Sequence, residues 1–267
     1  MVHISLGGIL VMGSVITLTT DFGTKDGFVG QMKGVVLKIN PQAILIDVTH
    51  DIAPFSVLEG ALVLRGVSRY FAGDTIHLGV VDPGVGSARR GTVVRAGNQF
   101  FVGPDNGLFS LVISSFETWE AREIRNTEYC LDNPHPTFHG RDVFAPVAAH
   151  LSAGKDLETV GPVVNDPVML SIPSPRISGG TVEGEVIYID RFGNLSTNID
   201  AGMLNRAVST VHVGNTTING LSRFFSEVAD GGALALINSF GFLEIAVNRG
   251  DASQELGIRC GVSVTVE

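Results

Sequence analysis

VVDPGVGSARR, residues 80–90, joins the end of an apolar run to a glycine-rich loop. Ile76, Leu78, Val80 and Val81 read as a buried strand, and Pro83, Gly84 and Gly86 stop it just past Asp82. A carboxylate at the carboxyl end of such a strand sits where open α/β sheets place their ligands. Arg89 follows in the same loop, near enough for its guanidinium to fold back on Asp82. A tight turn closed by a surface ion pair accounts for the same residues.

Upstream, the chain alternates. Val15–Thr19 reads as a strand closed by Asp21, and Asp26–Ile39 has helical spacing (Phe28, Met32, Val35, Val36, Ile39) ended by Pro41. A second buried strand spans Ala43–Val48, and Glu59–Tyr70 reads as a helix before the strand Ile76–Val81. Strand–helix–strand alternation predicts right-handed crossovers and a mostly parallel sheet. Downstream, Thr92–Ala96 and Gln99–Val102 form a hairpin around Gly97–Asn98, and GPDNGLFSLV turns into a short helix. The stretch around Trp119 is irregular, NPHPTFHG is a loop, and Val143–Leu151 is a helix with Pro146 in its first turn.

Between Val160 and Gly180 lie four prolines and no helical period. From Thr181 onward short strands alternate with turns, with only Ala201–Arg206 and Ser222–Val228 helical in character. The expected fold is therefore an α/β N-terminal domain (1–165), a linker (166–180) and a smaller antiparallel β-barrel-like domain (181–267). No internal repeat or low-complexity segment occurs.

A chain of 267 residues, 44% hydrophobic and 17% charged, has ample apolar surface for such a core. A net charge of −9 with no basic stripe disfavours a nucleic-acid partner. Cys130 and Cys260 have no metal spacing; two reduced cytoplasmic thiols is the expectation, with one disulfide as the alternative. The apolar N-terminus lacks a basic n-region and its run is broken by glycine, so neither a signal peptide nor a membrane anchor is expected; Met12 is a second candidate start.

Polar clusters gather just past strands or in turns. Asp21 is placed to accept from a ribose diol, or else to cap the following helix. GxGxxG is absent, which disfavours a pyrophosphate cofactor. His139, Gly140, Arg141 and Asp142 precede a helix; His139 is a base, a proton shuttle, a ligand or a structural hydrogen-bonding residue, and Asp142 a cap or a partner for Arg141. No zinc motif supports a metal site, and nothing fixes the geometry of His50 and Asp51. In IDRFGNLSTNI, Asp190, Phe192 and Asn194 offer a carboxylate, a flat face and an amide, or simply an ordinary hairpin turn. Ser239, Glu244 and Asn248 are suggestive only.

TDFGTKDGFVGQMKG, VTHDIAPFSVLEGA, VVDPGVGSARR, GPDNGL, TFHGRDVFAP, IDRFGNLSTNI and NSFGFLEIAVNRG occur here in one order. In that order and spacing the chain resembles the SAM hydroxide adenosyltransferases, S-adenosyl-L-methionine hydrolases that form adenosine and are related to the fluorinase and chlorinase. The resemblance runs from about Val15 to the C-terminus. It implies that Asp82, Arg89 and His139 orient and activate water. It likewise implies Asp21 on the ribose with Phe55 beside it, Asp190 on the methionine ammonium, Phe192 and Asn194 along the adenine, and Ser239 on the methionine carboxylate. The halogenases carry Tyr where Asp82 stands and lack the histidine, and the fluorinase has Ser where Gly140 stands. Phe240 departs from the fluorinase, which has Arg there.

The implied reaction is an in-line displacement at C5′ of S-adenosyl-L-methionine, giving adenosine and methionine. Its sulfonium leaves as a neutral thioether and needs no general acid; what it needs is a positioned water in a closed site. No cofactor or metal is expected, since S-adenosyl-L-methionine is itself the substrate. The resemblance further implies a homotrimer with substrate between the first domain of one subunit and the β domain of the next. The rival readings are a halogenase, a non-catalytic S-adenosyl-L-methionine or adenosine sensor, and a generic metal-dependent α/β enzyme.

Overall fold

β1 (Val15–Thr20) lies inside a seven-stranded sheet, with Ile16 and Leu18 buried towards one face and Thr17 and Thr19 towards the other. The computed structural model describes residues 14–204 and 208–267, so the N-terminal stretch to Gly13, including Met12, lies outside the described residues. Chain order continues with α1 (Phe28–Ile39), β2 (Ile44–Thr49), α2 (Val57–Ser68), β3 (Ile76–Val80), β4 (Gly91–Ala96), β5 (Gln99–Pro104), α3 (Ser110–Ile113), β6 (Trp119–Glu123), α4 (Ala145–Ser152) and β7 (Val163–Val164). α2 starts earlier than its apolar spacing suggests because Ser56 accepts from the Glu59 amide, while the Glu59 carboxylate accepts from the Ala53 amide.

The strand order is β2-β1-β3-β5-β4-β6-β7. The pairs β2–β1, β1–β3 and β3–β5 are parallel; β5–β4, β4–β6 and β6–β7 are antiparallel. The sheet is therefore mixed, which corrects the expectation of a mostly parallel one. The cause is local: after β3 the chain enters the Asp82 loop instead of a helix, and the β4–β5 hairpin reverses direction at Gly97 (φ 55°). The Trp119 stretch, expected to be irregular, is the strand β6; its Glu120 pairs with Arg95 and Arg122, so its charges hid the strand pattern. One face of the sheet is packed by α1 and α4 and the other by α2 and α3, giving three layers.

This unit runs to Leu170; the second comprises Ser171–Glu267. It contains β8 (Arg176–Ser178), β9 (Thr181–Ile189), β10 (Leu195–Asp200), β11 (Thr210–Val213), β12 (Thr216–Asn219), β13 (Ala233–Ile237), β14 (Phe242–Val247), α5 (Ala252–Glu255) and β15 (Ser263–Val266). Its order β12-β11-β15-β9-β10-β14-β13 is antiparallel throughout, with β8 on β9. The Ser222 amide, just past β12, donates to Ala235 O of β13 at 2.7 Å, so the two ends nearly close a barrel around Val186, Leu195, Ile199 and Leu243. The expected helices reduce to single turns, Ala201–Met203 and Phe225–Glu227; residues 205–207 lie outside the described residues. Among the described residues no helix is long and apolar enough to cross a membrane.

His77 of β3 is fully buried, stacked on Phe101 at 4.7 Å, with Nδ1 2.8 Å from the Thr17 hydroxyl. Burial pushes its pKa from 6.5 down to about 4, against the opposing pull of the Gln99 side chain. The unfolded chain therefore takes up a proton below pH 6.5 that the folded chain refuses until about pH 4. Stability is full above pH 6.5 and falls by about 3 kcal/mol between those two values. Urea unfolding across that window should show the loss, and His77→Gln should flatten it.

Candidate active site

Asp82 lies two residues past the end of β3, and two successive tight turns, Val85 N to Asp82 O (3.2 Å) and Ser87 N to Gly84 O (3.1 Å), bring the chain back over it. The Arg89 amide then donates to Ser87 Oγ. Arg89 grips the carboxylate as a fork: Nε lies 2.9 Å from Asp82 Oδ1 and Nη2 2.5 Å from Oδ2. The two side chains are only 11% and 4% exposed, so this is no solvated surface pair. Phe144 closes one side, its ring centroid 5.1 Å from the Arg89 guanidinium carbon.

The same Nη2 donates to His139 Nδ1 at 2.8 Å. A guanidinium has no acceptor, so Nδ1 is the bare nitrogen and the neutral ring carries its hydrogen on Nε2. Burial pushes the His139 pKa down, the Arg89 charge pushes it further, and the Asp82 and Asp142 charges only partly oppose this. His139 is therefore neutral at physiological pH.

The loop holding His139 is stapled from below. Asp142, 3% exposed, accepts from the His135 amide at 2.8 Å and from Arg141 Nε at 2.6 Å, while Arg141 also reaches Gln31. Asp142 thus ties its own loop together and does not cap the helix. Gly140–Phe144 form a π-helical turn, with the Ala145 amide donating to Gly140 O, before α4 begins.

Asp82, His139 and Gly140 line a cavity of about 530 Å³. Phe22, Phe28 and Phe138 form another wall, edge to face with centroids 5.3–5.9 Å apart. None of these three rings stood out in the sequence, where Phe28 read as a core position of its helix. A Cβ on Gly140 would lie 3.4 Å from both Phe22 and Val80 and would take up part of this space.

Asp21, expected as a ribose acceptor or a helix cap, caps nothing: no side chain caps α1. Its Oδ2 accepts from the Phe55 amide at 2.9 Å, holding Phe55 at φ 68° with its ring 70% exposed. Such a backbone in a bulky residue is strained and persists only where neighbours impose it.

In the second unit Asp190 organises its own turn. Oδ1 accepts from the Phe192 and Asn194 amides and Oδ2 from the Asn194 side chain. Asn194 is buried and Phe192 is 74% exposed. Ser239 sits exposed on a different turn, between β13 and β14. Beside it lies a cluster of which the sequence marked only Glu244, as suggestive: Asn238 Nδ2 bonds Ser196 Oγ (2.9 Å) and Glu244 Oε2 (3.0 Å). Burial pushes the Glu244 pKa up and the Asp190 charge adds to this. A lone glutamate in FLEIAV was its signal.

His50 is buried against Thr20 and Asp47, and among the described residues no group of three or more His, Cys, Asp or Glu could hold a metal. Cys130 and Cys260 form no disulfide with each other.

Comparison with known families matches residues 16–161 to the SAM hydroxide adenosyltransferase N-terminal domain and residues 184–265 to its C-terminal domain. The chain belongs to the SAM hydroxide adenosyltransferase family. This family member is 37% identical over 254 residues to the (R)-S-adenosyl-L-methionine hydrolase of Salinispora arenicola, covering 94% of this chain and 97% of that one. It is 30% identical to a fluorinase of Actinoplanes sp., over 94% of this chain and 97% of that one. A crystal structure of an uncharacterized conserved protein from Thermotoga maritima superposes with TM-score 0.87 at 41% identity, over 94% of this chain and 99% of that one.

Proposed function

We propose that this SAM hydroxide adenosyltransferase family member hydrolyses S-adenosyl-L-methionine to adenosine and L-methionine. The observation that carries the reading is the buried bridge in which one guanidinium holds a carboxylate and an imidazole at the cavity wall. A water oxygen attacks C5′, the C5′–S bond breaks, and its electron pair leaves on sulfur as a neutral thioether. The water gives up one proton. With Nδ1 turned to Arg89, His139 offers an N–H, which suits it to hold the water oxygen; the Asp82 carboxylate is the member of the trio that accepts the proton.

The aromatic wall excludes bulk water around the reacting carbon. Asp21 uses one carboxylate oxygen on Phe55 and keeps Oδ1 for the ribose hydroxyls, with the exposed Phe55 ring beside the sugar. Asp190 is assigned to the methionine ammonium, Phe192 and Asn194 to the adenine, Ser239 to the methionine carboxylate, and Gly140 to leaving space at the reacting end. The reading includes a homotrimer that completes each site from adjoining subunits. Activity of a monomer at high dilution would count against the shared site. The reaction needs no cofactor or metal, so a chelator should leave the rate unchanged. Two cysteines without a mutual disulfide support a cytoplasmic setting.

A halide approaching along the water's path would meet the Asp82 carboxylate, which disfavours the halogenase reading. Incubation with S-adenosyl-L-methionine in ¹⁸O-water should release adenosine labelled at its 5′-hydroxyl, read by mass, with unlabelled methionine. Label elsewhere, or a chloride- or fluoride-dependent 5′-halo product, would overturn the assignment.

A further inference from the structure

The Asp82–Arg89–His139 trio stands between two cavities. The front one, about 530 Å³, is walled by Asp82, His139 and the three phenylalanines. The rear one, about 290 Å³, is lined by Ser87, Arg89, Asn126, Thr127 and Cys130 together with the apolar Ala88, Ile124 and Val143. Among the described residues only His139 lines both. Asp82 faces the front, Arg89 the rear.

Resting on the hydrolysis reading, we propose that the rear cavity is the entrance for the water that the reaction consumes, separate from the entrance for substrate. A substrate large enough to fill the front cavity displaces the bulk water there, yet each turnover uses one water molecule. The rear cavity makes no demand for a charged ligand, because its guanidiniums are already paired. Arg89 holds Asp82, Arg90 holds Asp105 and Asp166, and Arg125 holds Glu123. What remains is a charge-balanced space of mixed polar and apolar lining with room for several waters, where Ser87, Asn126 and Thr127 supply hydrogen-bonding groups. Arg125 at its rim is 68% exposed, so the space meets solvent there. Its inner end is the His139 ring, whose N–H is the donor assigned to the attacking water.

Cys130 lines this cavity and belongs to no part of the proposed catalytic machinery. It therefore allows the cavity to be filled after folding. In a Cys260→Ser background, Cys130 is modified at about pH 9, since burial raises its pKa, with methyl and then benzyl methanethiosulfonate. The methyl adduct should leave turnover of S-adenosyl-L-methionine within about twofold. The benzyl adduct should lower kcat at least tenfold, leave KM within twofold, and be reversed by reductant. Cys130→Trp should reproduce the loss with the same pH profile of kcat. Complete benzyl labelling with unchanged kcat, a rise in KM in place of the fall in kcat, or a shifted pH profile would each overturn the water route. Absence of adenosine before any labelling would instead sink the hydrolysis reading beneath it.

Discussion

Asp82→Ala lowers kcat for S-adenosyl-L-methionine hydrolysis by about 10²–10⁴-fold, the range expected for loss of a general base. It also destabilises the fold by about 3–5 kcal/mol, because the Arg89 guanidinium, 11% exposed, is left buried without its counter-charge. Turnover and urea unfolding measured on the same protein separate the two effects. Asp82→Asn keeps the shape and one acceptor oxygen, so it should recover part of the stability and none of the rate. An Asn variant working at near wild-type speed would remove Asp82 from the chemistry and leave it a purely structural ion pair.

Gly86→Ala damages the same site from a distance. Gly86 has φ +78°, and a Cβ there would fall 2.5 Å from the backbone oxygen of Pro136. The loop carrying Arg89 thus rests directly on the loop carrying His139, and only a residue without a side chain allows the approach. Backbone strain and overpacking together are expected to cost about 2–4 kcal/mol. Lifting one loop off the other lengthens the 2.8 Å contact between Arg89 and His139, so kcat should drop at least tenfold. Gly84→Ala is the control: the three atoms nearest its Cβ would be side-chain atoms of Arg89, Ser87 and Asp82, none nearer than 3.5 Å. Equal effects at the two glycines would refute the packing explanation.

Elements whose apolar pattern matched their burial were legible from the residues alone. β1, β3 and α1 begin and end within two residues of expectation, since one side of each is packed and the spacing records it. β6 and β10 were not legible, for a common reason: their polar residues find partners within the protein. Glu120 is neutralised by two arginines, and Thr197 and Asn198 are buried while bonding Leu243 O and Pro173 O. A pattern scored by hydrophobicity reads such residues as loop. The parallel half of the first sheet followed from strand–helix alternation, whereas the antiparallel half depended on a hairpin whose partners lie far along the chain.

Within the candidate site, Asp82 and Arg89 were visible together because one short loop carries both. Their link to His139 spans fifty residues and became visible only through the order of motifs along the chain. The aromatic wall was hidden for a different reason: Phe22, Phe28 and Phe138 look like core residues, and the cavity beside them is a property of the packed backbone. Glu244 stood out only as a lone glutamate in an apolar strand, while its partners Asn238 and Ser196 carried no spacing signal.

The π-helical turn at Gly140–Phe144 bears on how this arrangement can arise. It holds one residue more than an α-helical turn between His139 and α4, and each residue of a helix advances the chain by about 100°. Deleting one position there would swing the imidazole to another quadrant of the helix axis and out of reach of Arg89. No exchange of side chains at fixed length reproduces that rotation, so an ancestor lacking the extra residue would acquire the guanidinium–imidazole contact through an insertion, and lineages that trim the loop should shed the histidine with it.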